Sequence, residues 1–137
     1  MVAARKKLLR IMDANFNRAK EGLRVCEDIG RFILNQKRTA QQFKIIRHRL
    51  THIVQRLNFS EILEARNIHG DVGKSSLEVE FKREKVADIF YANVQRVKES
   101  LRVLEEFAKL FDKKLAQELK QLRYRIYDLE QRTIKDL

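Results

Sequence analysis

The chain has 137 residues, a formal net charge of +11 and a pI near 10.0, which suits one domain able to bury roughly two-thirds of the surface its unfolded form would expose. A lone cysteine, Cys26, excludes an internal disulfide and reads as a small core residue. No apolar run approaches the ~20 residues that cross a bilayer, and the basic start through Arg5, Lys6, Lys7 and Arg10 lacks a signal peptide's apolar segment, so a soluble cytoplasmic protein with no membrane partner is expected.

With no proline, four glycines and 36% charged residues, nothing interrupts helical periodicity and an all-α fold is predicted. From about residue 4 to 34 one stripe persists through Leu8, Ile11, Met12, Ala19, Leu23, Cys26, Ile29 and Ile33, at the three-and-four spacing of a long helix. Asn35 to Thr39 breaks it, with either residue available as a cap, and Phe43, Ile46, Leu50, Ile53, Val54 and Leu57 continue as a second helix. Ser60 can cap a short helix from Glu61 to about Arg66, followed by an irregular, glycine-containing loop, Asn67 to Ser76. Val86, Ile89, Phe90, Val97, Leu101, Leu104, Phe107 and Leu110 then mark a third long helix, and Leu119, Leu122, Ile126 and Leu129 a fourth.

The chain contains itself twice. Ala14, Asn15, Arg18, Lys20, Glu21, Leu23, Arg24, Val25 and Glu27 return 78 positions later as Ala92, Asn93, Arg96, Lys98, Glu99, Leu101, Arg102, Val103 and Glu105. A second block, Phe43 to Leu50, returns as Leu119 to Ile126 with an offset of 76. The repeat covers about 4–57 and 82–135 of a single domain, 1–137, joined by 58–81. Neither hairpin can bury its stripe alone, so two duplicated hairpins are predicted to pack about a pseudo-two-fold axis as four long helices.

At about 100° per residue, Asn15 and Arg18 share the apolar face of their helix, as do Asn93 and Arg96, and Arg47 and Arg123 lie beside the stripes of theirs. Lys20, Arg24 and Glu27 fall on the far, solvated side, and Glu21 and Glu99 at the border. An inward arginine must be neutralised. Either Glu21 and Glu99 do so through salt bridges, or a wet cleft between the hairpins holds four arginines for an anionic ligand. Arginine's planar donors match two phosphate oxygens and asparagine offers an amide donor, so two such half-sites could hold two phosphorylated molecules, as phosphoryl transfer requires.

The central loop has no duplicate. Gly73-Lys74-Ser75 is similar to the end of a phosphate-binding loop, but Ile68 stands where its first glycine would be, so that reading is rejected. Asp71, between two glycines, is either a turn residue or a group for magnesium or a substrate hydroxyl. His48 and His52 face solvent without a third ligand, so no metal site is assigned. Tyr124 and Tyr127 either pack amphipathically or stack on a base.

Asp13-Ala14-Asn15 with Arg18, Glu21 through Val25, Glu27-Asp28, Asp71-Val72-Gly73, Glu80 with Arg83, Ala92-Asn93 through Glu106, and Arg123 through Glu130 together resemble the helical domain found in some bacteria in front of thiamine-phosphate synthase. That family is assigned as a hydroxymethylpyrimidine phosphate kinase. The resemblance implies ATP-dependent phosphorylation of 4-amino-5-hydroxymethyl-2-methylpyrimidine phosphate to the diphosphate, and the mechanism expected for such a transfer has magnesium bridging the ATP phosphates. Residues assigned by motif and geometry are Asn15, Arg18, Arg47, Asn93, Arg96 and Arg123 for phosphate binding, and Asp71, Glu21 and Glu99 for orienting the attacking oxygen. Asn67 stands where an Asp is expected, which argues against a metal at that position. With no synthase barrel after Leu137, this copy is expected to act alone, with thiamine-phosphate synthase as a candidate partner and a homodimer compatible with exposed apolar edges.

Two rivals remain. A nucleic-acid-binding module would place affinity on outward cations such as Lys6, Lys7 and Arg10. A scaffold for the synthase would gain no stability from nucleotides.

Overall fold

The computed structural model describes residues 2–76 and 81–137. Helix α1 runs Val2–Asp28 and passes into a π turn, Ile29–Ile33; α2 is Lys37–Gln55, α3 Phe59–Ala65, α4 Val86–Ala108 and α5 Lys113–Ile134. No strand occurs among the described residues, and the fold is all-α. No helix among them is long and apolar enough to cross a membrane.

Helices α1 and α4 form the central pair; α2 packs on α1, α5 on α4, α2 also meets α5, and α3 covers part of α1. Gly22 permits the central contact. A Cβ there would meet Val97 Cγ2 at 2.8 Å and the Asn93 carbonyl oxygen at 2.9 Å. Near the start of α1, Arg5 lies 5.0 Å from the centre of the Phe111 ring just beyond α4, so the two helices run antiparallel. The interior between the layers is closed by side chains such as Leu23, Leu50, Leu101 and Ile126, and Phe43 of α2 meets Phe90 of α4 edge to face at 6.1 Å.

The helix boundaries follow local chemistry, in places not the chemistry expected. Asn58, not Ser60, caps α3: it adopts the left-handed region at φ 63° and accepts a hydrogen bond from the Glu61 N–H at 3.3 Å. The cap position of α2 is Gln36, preceded by Asn35 at φ 52°, while the Thr39 hydroxyl donates to Gln36 Oε1 at 2.8 Å. Asp88 starts α4 by accepting from the Glu84 and Lys85 N–H groups at 3.1 and 2.9 Å. Asp112 starts α5 by accepting from the Lys114 N–H at 2.9 Å.

The π turn accounts for an irregularity in the repeat. The Leu34 N–H reaches the Ile29 carbonyl, five residues back, at 3.0 Å, and such a turn accommodates one extra residue. The first hairpin thereby absorbs part of the change in offset from 78 to 76. It also rotates the helix end, leaving Ile33 exposed rather than in the core stripe; Leu110, which lies past the end of α4, is exposed as well.

Candidate functional site

Two of the four expected phosphate-binding arginines are consumed in holding the hairpins together. Arg47 Nε donates to Glu27 Oε1 at 3.1 Å, and Arg123 Nε to Glu105 Oε2 at 3.0 Å. These pairs occupy repeat-equivalent positions and each ties the two helices of one hairpin. Arg123 also donates to the Tyr127 hydroxyl at 3.1 Å and lies 5.2 Å from the Tyr124 ring centre. Burial works against its charge, but the hydrogen bonds it donates to Glu105 and Tyr127 prevail and hold the guanidinium above its ordinary range. This corrects two expectations. Glu27 and Glu105 are buried, at 5% exposure each, not solvated, and they, not Glu21 and Glu99, neutralise the inward arginines. The wheel erred because α2 and α5 cover a flank of α1 and α4 that a single-stripe reading leaves to solvent.

The other pair behaves oppositely. Arg18 and Arg96 are exposed, as are Glu21 and Glu99, and none of the four joins an ion pair among the described residues. Taking Gly22 as pointing at α4, about 100° per residue turns Leu23 and Glu27 one way, under α2, and Glu21 and Arg18 the other way, into the open. The antiparallel register fixed by Gly22 with Asn93 and Val97, and by Arg5 with Phe111, sets Glu21 level with Arg96 and Arg18 level with Glu99. The result is an open seam of two arginines and two glutamates, not a wet cleft in the interior. Asn15 is buried and Asn93 half-buried, and each donates to the carbonyl four residues back, Ile11 at 2.9 Å and Ile89 at 2.8 Å. That bond uses an amide N–H that the sequence reading assigned to phosphate.

At the Glu21 end the seam opens into a crevice of about 420 Å3 that also involves Arg10, Asn17, Asn67 and Asp71. Asp71 accepts from the Gly73 N–H at 2.9 Å, so it is a turn residue that also faces the crevice. The crevice is anchored by a pair that the sequence reading missed. Arg66 donates to both carboxylate oxygens of Asp13, at 2.8 and 2.7 Å, with Asp13 only 5% exposed. The hydrogen bonds it donates to Asp13, together with the Asp13 charge, outweigh desolvation and raise the Arg66 guanidinium above its ordinary range. One signal was available: Asp13 has Tyr91 as its repeat counterpart, so an unduplicated loop has an unduplicated anchor. Arg10, expected as an outward cation, donates to the Asn67 carbonyl at 3.2 Å, and Asn67 Oδ1 accepts from the Gly70 N–H at 2.8 Å.

No group of three His, Cys, Asp or Glu side chains suited to a metal occurs among the described residues. Glu21 and Asp71 nevertheless bring two carboxylates to one crevice, the modest protein share that magnesium takes when substrate phosphates supply most of its ligands. His48 and His52 are exposed, as expected. Tyr124 and Tyr127, 56% and 42% exposed, meet each other edge to face at 5.8 Å. Cys26 is wholly buried, and burial, with the nearby Glu130 charge, pushes its thiol up to about 12. Glu80 lies outside the described residues.

The sequence profile of the ThiD2 family matches residues 10–132. The chain belongs to the ThiD2 family. Among curated relatives, a Nostoc protein named thiamine-phosphate synthase is 43% identical over 122 residues, covering 88% of this chain and 34% of the relative. Proteins of the same name from Synechocystis and Rhodopirellula baltica are 42% and 36% identical, covering 90% and 91% of this chain and 35% and 34% of their own. This ThiD2 chain thus spans about a third of the length of the curated relatives it matches. No solved structure matches. The matched residues include Asp13, Arg66 and Asp71 as well as all four seam residues.

Proposed function

We propose that this chain is a phosphotransferase of thiamine biosynthesis that moves the terminal phosphoryl group of ATP onto 4-amino-5-hydroxymethyl-2-methylpyrimidine phosphate. Family membership and the thiamine-phosphate synthase name of its relatives support the pathway. The observation that carries the chemistry is the open seam, where Arg18 and Arg96 join no ion pair among the described residues and Glu21, level with Arg96, lines a crevice together with Asp71.

In the transfer, an oxygen of the acceptor phosphate forms a bond to the γ-phosphorus while the bond to the ADP oxygen breaks. The acceptor oxygen is already ionised, so no strong general base is required, and positioning with charge neutralisation carries the rate. Arg18 and Arg96 bind the acceptor phosphate and the equatorial oxygens of the moving group, each through two parallel N–H donors. Glu21, Glu99 and Asp71 orient the acceptor and its hydrated surroundings, and Glu21 and Asp71, which line one crevice, would be the groups to hold magnesium carried in on ATP. That ion would screen the phosphate charges. Arg47 and Arg123 act at a distance, by fixing α2 on α1 and α5 on α4.

The test is ADP release by the purified protein with magnesium, ATP and the pyrimidine phosphate. Turnover is expected, and Arg96→Ala should lower kcat/KM by about 100-fold or more, the scale of removing one positioned donor. Replacing Lys6 and Lys7 together should leave turnover unchanged. No ADP release from demonstrably folded protein refutes the proposal.

A further inference from the structure

Away from the seam, α2 and α5 leave a groove of about 500 Å3 between them. Arg49 and Arg56 stand on its α2 side, Glu118 and Arg125 on its α5 side, with Ile53 and Leu122 also lining it. The relation of these walls is fixed at two points. Gln36 Nε2 donates to Asp136 Oδ2 at 2.9 Å where α2 begins and the chain ends, and Arg56 is salt-bridged to Glu118 at the other end of α2. Between these ties the helices run antiparallel. Seven residues before Arg56 on α2 stands Arg49, and seven residues after Glu118 on α5 stands Arg125, so both lie about two turns from the bridge and level with each other.

Arg49 and Arg125 are also repeat equivalents, each two positions beyond an arginine already bound to a hairpin glutamate. Two positions turn a side chain by about 200°, away from the hairpin contact. Neither joins an ion pair among the described residues, and Glu118, the carboxylate in the groove wall, is engaged by Arg56. Two like charges thus line one groove from opposite walls, neither with a counter-ion among the described residues, and the positive field they set up favours an anion. The Arg56 to Glu118 bridge closes one end, which limits the site to a short ligand.

We propose that this groove is a second anion site, separate from the seam, that takes a diphosphate group with one phosphoryl on Arg49 and the other on Arg125. Each guanidinium can grip one phosphoryl through paired N–H donors. Orthophosphate engages fully with one wall; a diphosphate engages both. His52 adds a donor beside Arg49, and the apolar side chains of Ile53 and Leu122 offer contact to an organic substituent. The inference stands on α2 and α5 alone and requires no turnover at the seam.

Calorimetric titration in an Arg96→Ala background, which weakens phosphate binding at the seam, isolates the groove. Inorganic diphosphate is expected to bind at least about tenfold more tightly than orthophosphate, a step of about 1.4 kcal/mol. Adding Arg49→Gln and Arg125→Gln should remove that preference. ADP distinguishes sources of the group: affinity equal to inorganic diphosphate assigns recognition to the phosphates alone, and tighter binding adds the apolar contacts. Without ligand, the Arg49→Gln/Arg125→Gln protein should melt no lower than its parent, which shows that it folds. Equal affinity for orthophosphate and diphosphate, no diphosphate binding in the Arg96→Ala background, or binding unchanged by the two glutamines would each overturn the proposal.

Discussion

Replacing Glu105 by Leu should strand the Arg123 guanidinium in a closed interior. The two side chains are 7% and 8% exposed, and removing one partner of such a buried pair costs about 3–5 kcal/mol because the survivor keeps an uncompensated charge. Against the roughly 5–15 kcal/mol that holds a domain folded, that loss is large, and at about 4 °C per kcal/mol for a chain of this size it lowers the melting temperature by roughly 12 °C or more. Arg123→Met should cost a similar amount by stranding Glu105. Combining the two exchanges an ion pair for apolar packing and should recover most of the loss, to within about 1–2 kcal/mol of the parent. Urea unfolding of all four proteins, read by circular dichroism, measures the cycle. A single-variant cost below about 1 kcal/mol, the range of exposed pairs, refutes the structural role. A double variant that is fully stable yet loses all turnover refutes a different claim, that Arg123 acts only at a distance, since it would then be binding substrate.

Gly22→Ala should destabilise. Its Cβ would lie 2.9 Å from the Asn93 carbonyl oxygen, an atom of the α4 backbone, and overpacking of about 1–3 kcal/mol outweighs the gain of up to about 1 kcal/mol in helix propensity; urea unfolding gives the sign. Asp88 is held below the ordinary aspartate range by the Lys85 and Glu84 N–H groups. A carboxylate depressed on folding contributes stability above its unfolded value and loses it as pH falls through the folded one. Asp88→Asn should therefore flatten the acid limb of the stability profile below about pH 4 while leaving its neutral shape unchanged. Cys26, buried with its thiol pushed up to about 12, should resist a disulfide reagent at pH 8 until the protein unfolds, measured as colour released before and after denaturant; rapid labelling of folded protein contradicts that burial.

Periodicity was enough to predict the helices, because long amphipathic segments without proline leave few alternatives; Leu23, Leu101 and Ile126 all lie in the core as their spacing requires. The wheel also brought Arg47 and Arg123 toward the interior. It failed on their partners, because one stripe per helix cannot represent a central helix with neighbours on two flanks, and the Glu27 and Glu105 positions belong to the second flank. For Arg18 and Arg96 the error ran the other way. Their place in the stripe is real, but it falls at the margin of the α1–α4 contact, where a long side chain reaches solvent. Asp13 with Arg66 was hidden for another reason, since their 53-residue separation follows from how the loop returns over α1, and no local pattern encodes that return.

The duplication and the departures from it divide the molecule's tasks. Repeat-equivalent ion pairs, Arg47 with Glu27 and Arg123 with Glu105, brace each hairpin alike, and the α1–α4 seam carries one Arg and one Glu from each copy. Such a frame alone would offer two equal half-sites. Asp13 in place of a second tyrosine, and Arg66, Asn67 and Asp71 on the unduplicated connection, gather at the Glu21 end and make it chemically unlike the Glu99 end. Transfer between a nucleotide and a smaller phosphate ester requires that inequality, because donor and acceptor must be told apart although both present phosphates. On the proposed reading, the repeated residues therefore supply grip, and the unrepeated ones decide which molecule each end holds.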